Sequence, residues 1–207
     1  MKISLINAGK RFNRDWIFRN IHLEFTAGNS YAVTGPNGSG KSTLLQAIGG
    51  AMMISEGEAQ YEVGGKKVLA DDVFRYISIA APYLELIEEM TVTEFLEFHA
   101  RFKDLLAAFT IKEIISIIGL EKAAHKQIRY YSSGMKQRVK LAQALFSDVP
   151  CVLLDEPCTN LDAEGIALYH ELIEDYTINR LVIVSSNDEQ EYNFCKEKIS
   201  ITDYKIR

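Results

Sequence analysis

Cysteine is scarce in this chain: there are three, Cys151, Cys158 and Cys195, and no two of them stand in C-x-x-C spacing. That spacing suggests neither a disulfide framework nor a zinc site, and it fits a reducing compartment. Cys151 lies in an apolar run and reads as a small buried side chain. Long apolar runs are missing as well. None approaches the ~18 residues needed to cross a bilayer, and the start, Met1 to Ile6, is too short and too soon polar for a signal peptide. An excess of positive charge is also lacking, since 23 Lys and Arg stand against 28 Asp and Glu for a net charge of −5. The basic footprint of a nucleic-acid binder is therefore missing, and no nucleic-acid partner is expected. No Ser/Pro-rich linker, low-complexity tract or internal repeat interrupts the sequence. What is present is 207 residues, 47% hydrophobic and 25% charged, enough for one sizeable core or a core with an inserted subdomain.

Residues 2–6 and 21–25 alternate apolar with polar and read as half-buried strands. Lys10 to Trp16 between them reads as a polar turn carrying two aromatics. Gly64-Gly65 sits between 58–63 and 66–69, a hairpin signal because both turn positions tolerate positive φ. Asp71-Asp72 closes that hairpin, and 74–80 reads as a buried strand. Residues 83–131 change character. Thr91-x-x-Glu94 and Thr110-x-x-Glu113 are capping-box patterns. The first opens an apolar face of Phe95, His99, Phe102 and Leu106, and the second one of Ile111, Ile114, Ile115 and Ile118. Gly119 marks a stop. This is a helical insert of about 83–131 within one domain spanning 1–207. A helix over 135–146 then leads to the unalternating run 151–154, as expected of a strand buried on both faces of a parallel sheet. Another helix, with Ile166, Tyr169, Leu172 and Ile173 inward, precedes a second buried strand at 181–184, and 199–202 reads as a last strand. Strand, helix, strand, helix, strand argues for a parallel α/β sheet.

The chemistry centres on Gly35-Pro36-Asn37-Gly38-Ser39-Gly40-Lys41-Ser42-Thr43, between an apolar strand and a helical pattern. That context makes G-x-x-x-x-G-K-[ST] a phosphate-binding P-loop. Its glycines let successive N–H groups point at phosphate oxygens, and the helix N-terminus adds its donors. Lys41 reaches the β/γ-phosphates, and the Ser42 hydroxyl is offered to Mg²⁺. The run 152–154 ends in Asp155-Glu156. Beside a P-loop, Asp155 reads as a Mg²⁺ holder and Glu156 as the group that orients or deprotonates the attacking water; the competing reading is an acid pair capping the next helix. Taken alone, Ser132-Ser133-Gly134 is an N-cap or an anion site at a helix start.

In order, GPNGSGKST, a helical insert, SSGMKQR at 132–138, VLLDEP at 152–157 and NLD at 160–162 resemble the ATP-binding subunits of ABC transporters across essentially the whole chain. The resemblance implies a P-loop α/β core with a parallel sheet, an N-terminal antiparallel β subdomain and an inserted helical subdomain. It implies an ATPase using ATP and Mg²⁺ in a head-to-tail homodimer or heterodimer. Ser132, Ser133, Gly134 and Asp162 of one copy would complete the pocket of the other. It further implies separate membrane permease subunits, docked around 82–102, and a peripheral place on the cytoplasmic face of the cell membrane. Phe12 matches the adenine-stacking aromatic, with Trp16 as a rival. Ser133 stands where the family commonly has glycine. Two departures bear on rate: Pro82 falls at or next to the family's glutamine, with Glu85 the nearest carboxylate, and Asn187 replaces its switch histidine. Asn187 can still bond a γ-phosphate oxygen but carries no proton, so a slow ATPase is expected. The alternatives are a soluble ABC-type ATPase outside transport, and a nucleotide-gated regulatory subunit with little turnover.

Overall fold

The computed structural model describes residues 1–205. In chain order the strands and helices are β1 (Lys2–Phe12), β2 (Asp15–Thr26), β3 (Ser30–Thr34), α1 (Lys41–Ile48), β4 (Glu56–Val63), β5 (Lys66–Val68), β6 (Ile77–Ala80), α2 (Val92–Ala100), α3 (Ile111–Ile117), α4 (Ser133–Leu145), β7 (Cys151–Asp155), α5 (Ala163–Tyr176), β8 (Leu181–Ser185), α6 (Glu189–Tyr192) and β9 (Glu197–Ser200). They form two compact units. Among the described residues the first comprises 1–77, 149–156 and 179–205, and the second comprises 78–148 and 157–178.

The first unit holds an antiparallel sheet in the order β2-β1-β4-β5 and parallel strands β7, β8, β3 and β9 side by side. The expected turn at 10–16 is much tighter than its polarity suggested. β1 runs on to Phe12 and β2 starts at Asp15, with Asn13 at φ 53° closing the hairpin. Side chains drive the extension, because Trp16 packs beside Gly9 and its ring lies 4.5 Å from the Arg19 guanidinium. The Gly64-Gly65 hairpin forms as expected, with φ 57° and 75°. The strand expected over 74–80 is shorter: Ala70–Arg75, which includes Asp71-Asp72, is a 3₁₀ turn with Phe74 exposed, and only Ile77–Ala80 is extended. The last strand lies two residues earlier than expected, at 197–200.

β7 and β8 are buried at every position, the mark of parallel strands covered on both faces. Each fully buried Val, Leu or Ile there stabilises the fold by about 1.5–3 kcal/mol relative to exposure. α1 lies on this sheet so closely that a Cβ on Gly49 would stand 2.8 Å from Leu153.

The second unit is helical and reaches beyond the expected 83–131 insert, because it includes α4 and α5. Both capping boxes form. Thr91 accepts from Glu94 N–H at 3.3 Å while Glu94 accepts from Thr91 N–H at 2.8 Å, and Thr110 and Glu113 repeat this at 3.3 and 2.7 Å. α2 ends at Ala100, so Phe102 (72% exposed) and Leu106 leave the face assigned to them. Gly119 takes φ 69° as the stop after α3. Phe146 packs against Phe109 and Tyr176, with ring centroids 5.6 and 4.6 Å apart.

A polar network sits beside this cluster. The Gln143 amide donates to His99 Nδ1 at 3.2 Å, so His99 carries its proton on Nε2 and donates to Ser147 Oγ at 2.9 Å; Ser147 donates to the Gln143 carbonyl at 2.6 Å. Burial, reinforced by Lys103, pushes His99 from 6.5 down to about 4. For a base with a lowered folded pKa the stability gained is full above the unfolded value and is lost as pH falls towards the folded one. The melting temperature is therefore expected to drop between pH 6.5 and 4, and His99→Gln should flatten that drop in a thermal scan.

Candidate nucleotide site

Within the first unit, β3 delivers the chain to a loop whose glycines carry its shape: Gly35, Gly38 and Gly40 have φ 147°, 73° and 101°. At Gly40 the requirement is double. Its φ is left-handed, and an added Cβ would collide with Ile17 Cγ2. A Cβ on Gly35 would meet Ile201 at 2.8 Å, so Ile17 of β2 and Ile201 form the apolar floor of the loop. Ser39 N–H bonds the Pro36 carbonyl at 3.0 Å, closing a turn. α2, α3, α4 and α5 are all capped by a side chain, whereas α1 starts at Gly40 with no side-chain cap. Its first N–H groups are left facing the loop. Lys41 is only 5% exposed, and its ammonium donates to the Gly35 and Pro36 carbonyls at 2.9 and 3.4 Å. Ser39 Oγ is buried without a hydrogen-bond partner.

β7 and β8 end beside this loop, because Ser185 stands in register with both Asp155 and Val33. Asp155 is 1% exposed, and its Oδ1 makes no hydrogen bond. Burial raises its pKa; neighbouring Ser42 and Ser185 offset part of this, Glu156 adds to it and Lys41 opposes it. The ionised form therefore costs stability at pH above the ordinary carboxylate range, and a cation at Oδ1 would remove that cost. Glu156 has φ 43°, and its N–H donates to the Ser185 carbonyl at 2.8 Å. The Asn187 amide donates to Asn37 Oδ1 at 2.6 Å. Phe12 is 48% exposed with the Lys10 ammonium 4.9 Å from its ring centroid. Trp16 is instead packed between Arg11 and Arg19.

Within the second unit, Ser132 caps α4, its Oγ accepting from Met135 N–H at 3.2 Å. Ser133 is exposed, and Gly134 passes so near Asn160 that a Cβ would stand 3.0 Å from its carbonyl oxygen. Asp162 caps α5, accepting from Gly165 N–H at 2.8 Å. These residues, with Arg138 and Leu120, line a cleft of about 430 Å³. Gln137 is buried and donates to the Pro157 carbonyl at 2.7 Å, pinning the segment after Glu156 to α4.

The ABC transporter family pattern matches residues 18–159, more than half of the chain. The chain belongs to the ABC transporter ATP-binding family. It is 28% identical over 191 residues to the ABC transporter ATP-binding protein YybJ of Bacillus subtilis, covering 91% of this chain and 87% of that protein. It is 31% identical to the cytochrome c biogenesis ATP-binding export protein CcmA of Agrobacterium fabrum, covering 85% and 84%. Among solved structures, the dimeric ABC transporter cassette MJ0796 superposes with a TM-score of 0.77 at 25% identity, covering 96% of this chain and 94% of that one. A post-hydrolysis form of MJ0796 bound to ADP and Pi scores 0.78 at 26%, covering 96% and 93%. The mixed α/β fold is that of an ABC cassette, and the protein is the ATP-binding subunit of a transporter, in a family of ATPases. Among the described residues no helix is long and apolar enough to cross a membrane.

For this ABC subunit the structure gathers Gly35 to Thr43, Asp155, Glu156 and Asn187 at one end of the parallel strands. It places Ser132, Ser133, Gly134 and Asp162 at the cleft of the helical unit. Two residues and one pairing escaped the sequence reading. Ile17 and Ile201 carry no motif and are visible only as the contact that forbids a Cβ at Gly40 or Gly35. The Asn37 pairing of Asn187 joins positions 150 residues apart, which no local pattern encodes.

Proposed function

We propose that this subunit binds ATP with its phosphates on the P-loop and hydrolyses it to ADP and phosphate. The observation that carries this reading is the uncapped α1 whose first residue, the nearly buried Lys41, turns its ammonium onto a loop of left-handed glycines. Phe12, exposed where Trp16 is engaged, supplies the face for the base. Mg²⁺ fits the donor set: Ser42 and the unpartnered Asp155 Oδ1 would hold it, and bound there it neutralises phosphate charge. Glu156 takes a proton from water as that water attacks the γ-phosphorus and the bond to the ADP oxygen breaks.

The second half of each site comes from another copy, through the Ser132 hydroxyl and the Ser133 and Gly134 N–H groups at the start of α4. The dimeric MJ0796 cassette supports such pairing. Closure of the dimer moves separate permease subunits, which meet the helical unit around Pro82–Phe102 on the cytoplasmic face of the membrane. Turnover is slow, because Asn187 and Pro82 replace side chains that respond to the γ-phosphate. The test is a pull-down of the tagged chain from membranes with a phosphate-release assay on the eluate. A polytopic membrane protein and ATP-dependent phosphate release are expected; recovery of the chain without any membrane protein contradicts the permease arm.

A further inference from the structure

The segment leaving β8 is a strap between the two halves of the catalytic end. Ser185 accepts from Glu156 N–H at 2.8 Å, Ser186 donates its N–H to the Val33 carbonyl at 3.2 Å, and Asn187 donates to Asn37 Oδ1 at 2.6 Å. Three consecutive residues thus touch, in turn, the carboxylate pair, the strand that feeds the P-loop, and the P-loop itself. Ser185 and Ser186 are 0% and 1% exposed, so the first two rungs are fixed in the core and only the third is a side-chain contact at the surface. Because Asn37 accepts, its own amide N–H₂ remains to be presented as donors on the loop.

We propose that Asn187 is a positioning residue, which holds Asn37 and with it the P-loop at a set distance from Glu156 through a link without a titratable side chain. The proposal rests on the P-loop being the ATP site. The charged groups around this link are Lys41 on α1, Asp155 and Glu156 at the end of β7, Asp188, Glu189 and Glu191 on and before α6, and Lys198 on β9. Lys198 is paired with Glu189 at 3.1 Å. None of them is a histidine, and the strap itself carries no proton that could be gained or lost near neutrality.

The test is steady-state ATP hydrolysis by the full chain from about pH 5.5 to 9, for wild type, Asn187→Ala, Asn37→Ala, the double variant and Asn187→His. Both side chains of the contact are exposed, and unchanged melting temperatures would show that the variants are folded. Asn187→Ala is expected to lower kcat about tenfold, as for the loss of one hydrogen bond in the transition state, with KM nearly unchanged. Asn37→Ala should cost as much, and the double variant no more than either, because a shared contact can be lost only once. Asn187→His should restore turnover and add a pH-dependent limb near ~6.5 that wild type lacks. Wild-type kcat in Asn187→Ala, additive losses in the double variant, or the same limb in wild type overturns the proposal. Lys41→Ala separates the two readings. Lost ATP binding there alongside wild-type kcat in Asn187→Ala overturns the positioning role alone, whereas retained binding overturns the ATP site beneath it.

Discussion

Glu156→Gln is expected to lower ATP hydrolysis by about 10²–10⁴-fold, the range for removal of a general base, while leaving ATP bound. Six non-glycine residues have positive φ among the described residues, and five of them are asparagine; Glu156, at 43°, is the exception. Asparagine tolerates the left-handed region through its short polar side chain, whereas a longer side chain is strained there by about 1–3 kcal/mol. That strain is held by the bond from Glu156 N–H to the Ser185 carbonyl, directly after β7 ends at Asp155. The same geometry gives a second readout. Glu156→Gly should raise stability by about 1 kcal/mol, or roughly 2–4 °C in melting temperature for a chain of this size, and abolish turnover. Hydrolysis by Glu156→Gln at the wild-type rate in a phosphate-release assay would remove Glu156 from the reaction.

Lys41→Ala is expected to weaken ATP binding by about 2–5 kcal/mol, at least ~30-fold in Kd, the scale for truncating one side of a buried charged contact. Lys41 is 5% exposed, and its ammonium donates to the loop carbonyls of Gly35 and Pro36. In a site so enclosed the charge is screened little by water, which is the basis for the large effect expected of this one substitution. Titration calorimetry with ATP reads this directly. A Kd within threefold of wild type would show that the nucleotide lies elsewhere.

What the sequence made legible was local. The P-loop, both capping boxes, the Gly64-Gly65 hairpin and the buried strands at 151–155 and 181–185 each depend on neighbours within a few positions, so residue type and spacing suffice. Element limits were misplaced where a turn or a cross-hairpin side-chain contact, not apolar spacing, set them. The strand β1 extends to Phe12 because Trp16 packs across the hairpin beside Gly9, and Phe74 lies outside the strand because Ala70–Arg75 closes as a 3₁₀ turn. α2 ends before Phe102 because the chain turns at His99 and Lys103. At the site the split is the same. Gly40 was readable as a P-loop glycine, but not the Ile17 methyl group that forbids any other residue there. Asn187 was readable as a departure from the family, but not its bond to Asn37.

In the proposed function one copy cannot complete a site, because the P-loop lies in one copy and Ser132–Gly134 come from another. Sedimentation of Glu156→Gln tests this most directly, because that variant should bind ATP and not consume it. With saturating MgATP the variant is expected to sediment as a dimer, and to return to a monomer when Lys41→Ala is added or when ATP is withheld. A Glu156→Gln chain that binds ATP and still sediments as a monomer would contradict the composite site.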